Sequence, residues 1–384
     1  VYPLLLGVTG SISAYKTPEL IRRLIQASVQ VFPVLSRSAP QFVTPLSLET
    51  VSGNSVRLAD DFTHSGHIQL AKAGKALVIA PASANCISKC ANGVADDLLS
   101  SLWLSFRGPK MVVPAMHAEM WENPAVGRNI ALLKQDGVKV LGPDYGHLAC
   151  NDVGVGRLVD LDLIVLATRL LALKPIHLKG KKMVITAGGT TESLDSVRVL
   201  TNKSTGVLGQ TLAHCAAFFG AEVTLISTRS VMPNPELKKV VQVSTVSELS
   251  DAVQTHFKQS DLLVMAAAVS DFTVTPSAQK INRNNQGLSL DLKPTEDIVK
   301  SVALSKNPQQ KIMGFCLEEA EVLEKKALEK LEKKQLDWIV ANTPLAIGAA
   351  SRTLQVYKRG SQAKKNVQGD VLSVAYELLQ TIAE

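Results

Sequence analysis

At 384 residues the chain exceeds one ordinary hydrophobic core and predicts two domains of about 150 to 200 residues. With 46% hydrophobic and 20% charged residues it is not a disordered chain, and no apolar run approaches the roughly 20 residues of a membrane span. A net charge of +7 favours anionic partners, but aromatics are only 4% and basic residues are scattered, so phosphorylated small molecules are expected rather than nucleic acid.

The first half alternates strand and helix patterns. Leu4-Leu5-Leu6-Gly7-Val8 reads as a buried strand over 2–8, and Thr9-Gly10-Ser11-Ile12-Ser13 as a turn of phosphate size. A helix over about 17–27 has Pro18 in its first turn, and strands follow at 29–35, 76–79 and 110–113. Without hairpin signals this predicts a doubly wound parallel sheet whose ligand lies beyond the carboxyl ends of the strands. Gly10-Ser11, Ser36-Arg37-Ser38 and the small residues around Pro81 and Ser83 offer hydroxyls and backbone donors there for a mononucleotide phosphate. Ser65-Gly66-His67 puts an imidazole just before a helix. Pro114-Ala115-Met116-His117 ends a strand, and Cys150 falls in a glycine-containing exposed loop, with 145–156 expected to be a lid. Five cysteines without metal-ligand spacing, and no visible secretory signal, suit a reducing cytoplasm.

A short basic linker, Lys-Pro-Ile-His-Leu-Lys-Gly-Lys-Lys, places the boundary between domains 1–173 and 174–384. Beyond it Met183-Val184-Ile185-Thr186 is a buried strand ending in Ala187-Gly188-Gly189-Thr190. A polar connection carries Asp195 and Arg198, and the Asn202 to Gly206 loop precedes an amphipathic helix through Leu208, Leu212, Ala216 and Phe219. Strand, small-residue loop and helix N-terminus together make an anion site. Further strands at 222–227, 239–243 and 261–267, with helices at 206–220 and 245–257, predict a second Rossmann-like sheet. The absence of Gly-x-Gly-x-x-Gly disfavours a dinucleotide. Asp271 stands at a strand end where a magnesium-nucleotide can use it. Lys280 lies in a basic loop, Gln279-Lys280-Ile281-Asn282-Arg283, within a second expected lid at 276–287. Lys330 and Lys334 share one face of the Glu/Lys run at 324–334, which otherwise reads as a solvated helix.

The first half resembles the flavin-containing cysteine decarboxylases in Gly-Val-Thr-Gly-Ser-Ile, Ser-Ala-Pro-Gln-Phe-Val-Thr-Pro-Leu, His67-Ile68, Ala-Pro-Ala-Ser-Ala-Asn, Ala-Asp-Asp-Leu-Leu-Ser, Pro-Ala-Met and Ala-Cys-Asn-Asp-Val-Gly-Val-Gly-Arg. The resemblance implies that FMN oxidises a cysteinyl thiol to a thioaldehyde, the carboxylate leaves, and the enethiolate is reduced back. It makes His67 the base or positioning group, Cys150 the proton donor, and Gly10, Ser11, Ser38, Pro81, Ser83 and Ser100 the FMN contacts. His117 replaces the usual asparagine that holds the substrate carboxylate, Asn151 the usual glycine and Leu158 the usual methionine.

The second half resembles phosphopantothenate-cysteine ligase in Ile-Thr-Ala-Gly-Gly-Thr-Thr-Glu, Asp195 to Arg198, Asn202 with Ser-Thr-Gly, Ala-Ala-Val-Ser-Asp-Phe, Lys280-Ile281, Gly314-Phe315 and Ala341-Asn342. By that resemblance Asn202 steadies an acyl-cytidylate, Arg198 lies in the same substrate loop, and Lys280 neutralises CTP phosphate charge. Met265, Ala266, Ala267, Asp271, Thr295, Glu296, Asp297, Ile298 and Phe315 line the CTP site, Lys330 and Lys334 meet the triphosphate, and Mg2+ sits at Asp271. Asn282-Arg283 replaces Lys-Lys, Glu296 replaces a proline, and Gly348-Ala349 lacks an expected phenylalanine.

In this order the halves resemble the bifunctional decarboxylase/ligase family of coenzyme A synthesis, acting on 4'-phosphopantothenate, cysteine and CTP. The family implies a cytoplasmic homo-oligomer, a dodecamer of trimeric first and dimeric second domains, without nucleic acid or membrane partners. Two rival readings are a flavin decarboxylase of another cysteinyl substrate and a non-catalytic flavin-binding regulatory subunit. Cys150, His67, Asn202 and Lys280 together favour the enzyme.

Overall fold

The computed structural model describes residues 2–61, 66–282, 288–361 and 363–384. It divides into two compact units, Val1–Lys174 with Met232–Glu236, and Pro175–Val231 with Leu237–Glu384. Among the described residues no helix is long and apolar enough to cross a membrane.

The first unit holds β1 (Tyr2–Val8), β2 (Val29–Leu35), β3 (Ala76–Ala82), β4 (Lys110–Pro114) and β5 (Lys139–Val140), all parallel, in the order β2-β1-β3-β4-β5. That is the flavodoxin-like order, with its switch point between β1 and β3. The strands read as unbroken apolar runs because helices bury both faces: every residue of β3 is buried, as are Leu4, Leu5 and Leu6 of β1. The helices are α1 (Thr17–Gln26), α2 (Pro45–Ser52), α3 (Gly66–Ala73), α4 (Ala84–Asn92), α5 (Leu98–Ser105), α6 (Ala118–Glu122), α7 (Pro124–Gln135) and α8 (Leu161–Leu171). His67 therefore lies inside the first turn of α3, not before the helix, while Ser65 lies outside the described residues.

The segment expected to be a lid, 145–156, is built as a hairpin of β6 (Asp144–His147) and β7 (Val153–Arg157), with Cys150 at its tip. Alternation of apolar and polar residues could not announce it, because its pairing is carried by backbone groups of glycine-rich strands, Gly146 opposite Gly154.

In the second unit the parallel strands are β8 (Lys182–Ala187), β11 (Glu222–Ser227), β12 (Lys239–Gln242), β13 (Leu262–Met265), β16 (Lys311–Leu317) and β17 (Trp338–Asn342). The sheet runs β12-β11-β8-β13-β16-β17, the Rossmann order, and is extended by β18 (Arg352–Lys358) and β19 (Lys364–Gly369). Those last two are antiparallel, an addition to the expected parallel sheet. Two short antiparallel pairs, β9 (Thr191–Ser193) with β10 (Val199–Thr201) and β14 (Phe272–Thr273) with β15 (Lys293–Pro294), complete the strands of this unit.

Helices α9 (Val207–Phe218), α10 (Val246–Phe257), α11 (Ile298–Ser305), α12 (Leu323–Lys333) and α13 (Val371–Ala383) complete the unit. The amphipathic face expected of α9 widens to an almost continuous burial from Thr211 to Ala217, since α13 covers its other side and Tyr376 meets Phe219 at 5.9 Å between ring centres. At its start α9 presses so close to β8 that a Cβ on Gly209 would stand 2.5 Å from the Thr186 carbonyl oxygen. The small residue brings the free N-H groups of the helix to the sheet edge.

Candidate active sites

At the carboxyl edge of the first sheet, the Thr9 hydroxyl locks the first turn to the third strand, donating to the Pro81 carbonyl (2.7 Å) and accepting from the Ser83 N-H (2.9 Å). Ser11 donates to the Ala115 carbonyl at 3.1 Å, and Ser83 caps α4 by accepting from the Cys86 N-H at 3.3 Å. Gly10 faces Ser38 so closely that a Cβ would lie 2.2 Å from its hydroxyl oxygen. The hydroxyls of Thr17 and Ser36 are buried without a hydrogen-bond partner, and Ser36 sits beside this cradle, its N-H donating to Val8 O at 2.9 Å. An orphaned donor next to a turn without side chain is what a phosphate oxygen satisfies, so these residues fit a mononucleotide such as FMN. Ser100 departs from the expected set: it is buried, and its hydroxyl is closed inside the cap of α5, donating to Asp97 at 2.8 Å and accepting from the Asp97 N-H at 3.1 Å.

The same edge carries a second cluster. His117 is the N-cap of α6, its Nδ1 accepting from the Glu119 N-H at 3.3 Å, which puts the ring proton on Nε2, 2.9 Å from Asp152 Oδ2. The Cys150 thiol donates to that same oxygen at 3.2 Å. Both bonds, that of His117 first, hold the Asp152 carboxyl below its usual range. The hairpin reaches His117 because β7 lies directly on the segment after β4: the Met116 N-H donates to Gly156 O at 3.0 Å. A Cβ on Gly156 would lie 2.2 Å from Met116 O, and one on Gly154 2.8 Å from Ala118 Cβ. The structure thus joins His117 to Cys150 through Asp152, a residue the sequence reading did not single out although it lies in the same motif. His67 stands apart on α3, half-buried.

In the second unit a cleft of about 610 Å³ opens at the carboxyl edge, where β8 and β13 diverge. Asn202, Met265, Ala266, Ala267, Asp271, Thr295, Glu296, Asp297, Ile298, Phe315, Lys330 and Lys334 all line it. Asn202 bridges its walls, donating from Nδ2 to the carbonyls of Ala268 (3.2 Å) and Val269 (3.1 Å). Both expected phosphate-binding lysines already have carboxylate partners, Lys330 with Glu318 and Lys334 with Asp297, each at 3.0 Å. Burial pulls the Lys330 ammonium down, but Glu318 and the Cys316 sulfur together more than offset it and leave it above its ordinary value. Glu296 accepts from the Ser250 hydroxyl at 2.9 Å through one carboxylate oxygen.

Arg352, at the start of β18, also lines this cleft and was missed, because one basic residue opening a strand carries no sequence signal. Its Nε is buried without a partner, and burial lowers its pKa.

Arg198 and Lys280 are not among the described residues that line the cleft. The reason is local: the turn between β9 and β10 buries Asp195, which accepts from the backbone of Val197, Arg198 and Ile281 and from the Arg198 guanidinium. Arg198 in turn donates to the Ile281 carbonyl. These bonds, Arg198 first, hold the Asp195 carboxyl far below the carboxylate range. Arg198 is therefore the clamp on the strip carrying Lys280, which Ser277 N-H also ties to Leu194 O at 2.9 Å. The expected lid at 276–287 is described only to Asn282, and Arg283 lies outside the described residues.

Comparison with known proteins covers both units. A flavoprotein family model matches residues 1–171, and one for the DNA/pantothenate metabolism flavoprotein C-terminal domain matches 178–384. The coenzyme A biosynthesis bifunctional protein CoaBC of Bacillus subtilis (strain 168) is 38% identical over 392 residues, covering 99% of this chain and 96% of its own. The protein of that name from Escherichia coli (strain K12) is 38% identical over 348 residues, covering 88% and 85%. A crystal structure of the CoaBC C-terminal domain is 30% identical, with a TM-score of 0.45, over 54% of this chain and 96% of that one.

Proposed function

The chain belongs to the family of coenzyme A biosynthesis bifunctional proteins, and from that premise we propose how its halves divide the work. It is a phosphopantothenoylcysteine decarboxylase and a phosphopantothenate-cysteine ligase in one chain, and we assign the first activity to residues 1–173 and the second to 174–384.

In the ligase half, CTP and 4'-phosphopantothenate occupy the cleft lined by Asn202, Asp271 and Arg352. The substrate carboxylate attacks the α-phosphorus of CTP, pyrophosphate leaves, and the cysteine amine displaces CMP from the acyl-cytidylate. Lys330 and Lys334 exchange their carboxylate partners for phosphate oxygens, while the Arg352 Nε is buried without a partner among the described residues. The Ser250 hydroxyl holds one oxygen of Glu296, and the lysines with Mg2+ offset that carboxylate's charge toward the triphosphate. Asp271 is exposed at the cleft and suits Mg2+, which binds through one or two carboxylates plus substrate phosphates. Lys280, presented by the Asp195–Arg198 clamp, supplies further positive charge to the phosphates.

In the decarboxylase half, Gly10, Ser11, Ser36 and Ser38 hold the flavin phosphate. Bound FMN supplies the reversible two-electron oxidation that makes carboxylate loss possible. His117 binds the substrate carboxylate in the place of an amide, His67 positions the substrate, and the Cys150 thiol delivers the proton that completes reduction. By the same resemblance the chain is a cytoplasmic homo-oligomer of twelve copies, testable by its molar mass in solution.

The observation that carries this reading is that each sheet has its own anion-binding carboxyl edge, one with a thiol–carboxylate–imidazole array and one with the cleft of Asn202, Asp271 and Arg352. The test gives the purified protein 4'-phosphopantothenate, cysteine, CTP and magnesium, and follows pyrophosphate, carbon dioxide and flavin absorbance separately. Both products with bound flavin are expected, and Cys150→Ser should stop formation of 4'-phosphopantetheine while pyrophosphate release continues. Pyrophosphate without carbon dioxide would remove the first activity, and neither product with flavin bound would support the regulatory-subunit reading.

A further inference from the structure

We propose that His117, Cys150 and Asp152 form a binding site for a thiophilic divalent cation, zinc foremost, distinct from any ion that accompanies the nucleotide. One ligand atom from each, His117 Nε2 or Nδ1, Cys150 Sγ and an Asp152 oxygen, lies within 4.8 Å of the other two. The shared Asp152 oxygen stands 2.9 Å from the imidazole Nε2 and 3.2 Å from the sulfur. Ligands around a tetrahedral zinc at ordinary bond lengths stand roughly 3.3 to 3.6 Å apart. The ion therefore replaces the two bridging protons with small side-chain adjustments.

The hairpin makes this a prepared site. Two ligands are on the hairpin and the third is on the segment after β4, and the Met116–Gly156 hydrogen bond with the close approach at Gly154 and Gly156 fixes their separation before any ion arrives. Thiolate with imidazole selects zinc over magnesium or calcium, and three protein ligands with an open solvent side is the arrangement zinc tolerates with a fourth, exchangeable ligand. When Nε2 takes the ion its proton must move to Nδ1, where the Glu119 carboxylate 4.0 Å away can accept it in place of the weak Glu119 N-H contact. The thiol proton is released to solvent, one per ion bound, so affinity rises with pH.

Occupancy removes the proton from Cys150. On the reading of Cys150 as proton donor, zinc stops 4'-phosphopantetheine formation while the ligase continues, so that this one chain answers the metal in its first half only.

Cobalt(II), a spectroscopic stand-in for zinc, titrated into the full protein with reduced thiols tests the site directly. The expected result, in difference spectra that remove the flavin, is a thiolate-to-cobalt charge-transfer band saturating at about one ion per chain and abolished by zinc. Cys150→Ser should eliminate it, the other four cysteines being buried, and His117→Asn and Asp152→Asn should each weaken binding more than tenfold. No band at stoichiometric cobalt, or one that survives Cys150→Ser or ignores both other variants, overturns the site. With the band present, zinc should suppress 4'-phosphopantetheine formation and spare pyrophosphate release. Binding without that suppression would refute the inhibitory consequence and the donor role of Cys150, leaving the metal site standing.

Discussion

Replacing Gly156 with alanine should disable the first activity and spare the second. The added Cβ would stand 2.2 Å from the Met116 carbonyl oxygen and 3.3 Å from the Ala118 nitrogen, both backbone atoms with no rotamer to yield. An ordinary contact begins at about 3.4 Å, so β7 must retreat by roughly 1 Å. That retreat lengthens the 3.0 Å bond from Met116 N-H to Gly156 O and draws Cys150 and Asp152 away from His117. Local overpacking costs about 1–3 kcal/mol, and a displacement of this size lowers a positioned reaction by about a hundredfold. The assay is 4'-phosphopantetheine formation beside pyrophosphate release and flavin content in the same sample. Gly146→Ala is the control: its Cβ meets only the movable Arg157 side chain, at 3.1 Å, so near-normal rates are expected. Wild-type 4'-phosphopantetheine formation by Gly156→Ala would refute the claim that hairpin docking sets the site.

Arg352→Gln should raise the KM for CTP or 4'-phosphopantothenate by about 10- to 100-fold, the worth of a charged hydrogen bond, with little loss of thermal stability because it removes a partly desolvated cation whose Nε has no partner among the described residues; an unchanged KM for both removes Arg352 from binding. His214, buried on α9, has its pKa lowered by that burial to about 4, against an unfolded value near 6.5. The unfolded chain therefore binds the proton first, and this residue's contribution falls as pH drops from about 6.5 to 4, by roughly 3 kcal/mol in total. Unfolding of wild type and His214→Gln across that window should show the extra loss in wild type only, and parallel curves would refute the assignment.

The strand runs around Leu4, Leu77, Val184 and Leu263 were legible because strands covered on both faces must be continuously apolar. The small-residue turns beyond them were legible because an anion edge tolerates little else. Groups whose meaning depends on chain distant in sequence were not. Asp152 matters through His117, thirty-five positions away, and Arg352 through a cleft built by strands it follows. That Arg198, expected at the substrate, also clamps the Ile281 strip was hidden because nothing in its neighbourhood reveals that Ile281 will lie against it. Ser100 was expected among the FMN contacts, and that its hydroxyl bonds Asp97 in a helix cap was not read from the sequence.

The Ser250–Glu296 bond has an evolutionary consequence. A proline at position 296 asks nothing of position 250, whereas a carboxylate there, at the mouth of a polyanion site, is eased by a donor that holds one of its oxygens. The two positions are therefore coupled: with the serine lost, the bound carboxylate oxygen is freed at the mouth of the nucleotide site, so the acid is better tolerated where the hydroxyl is present. Across descendants of this chain, Glu296 should outlast Ser250 only where another donor has taken over.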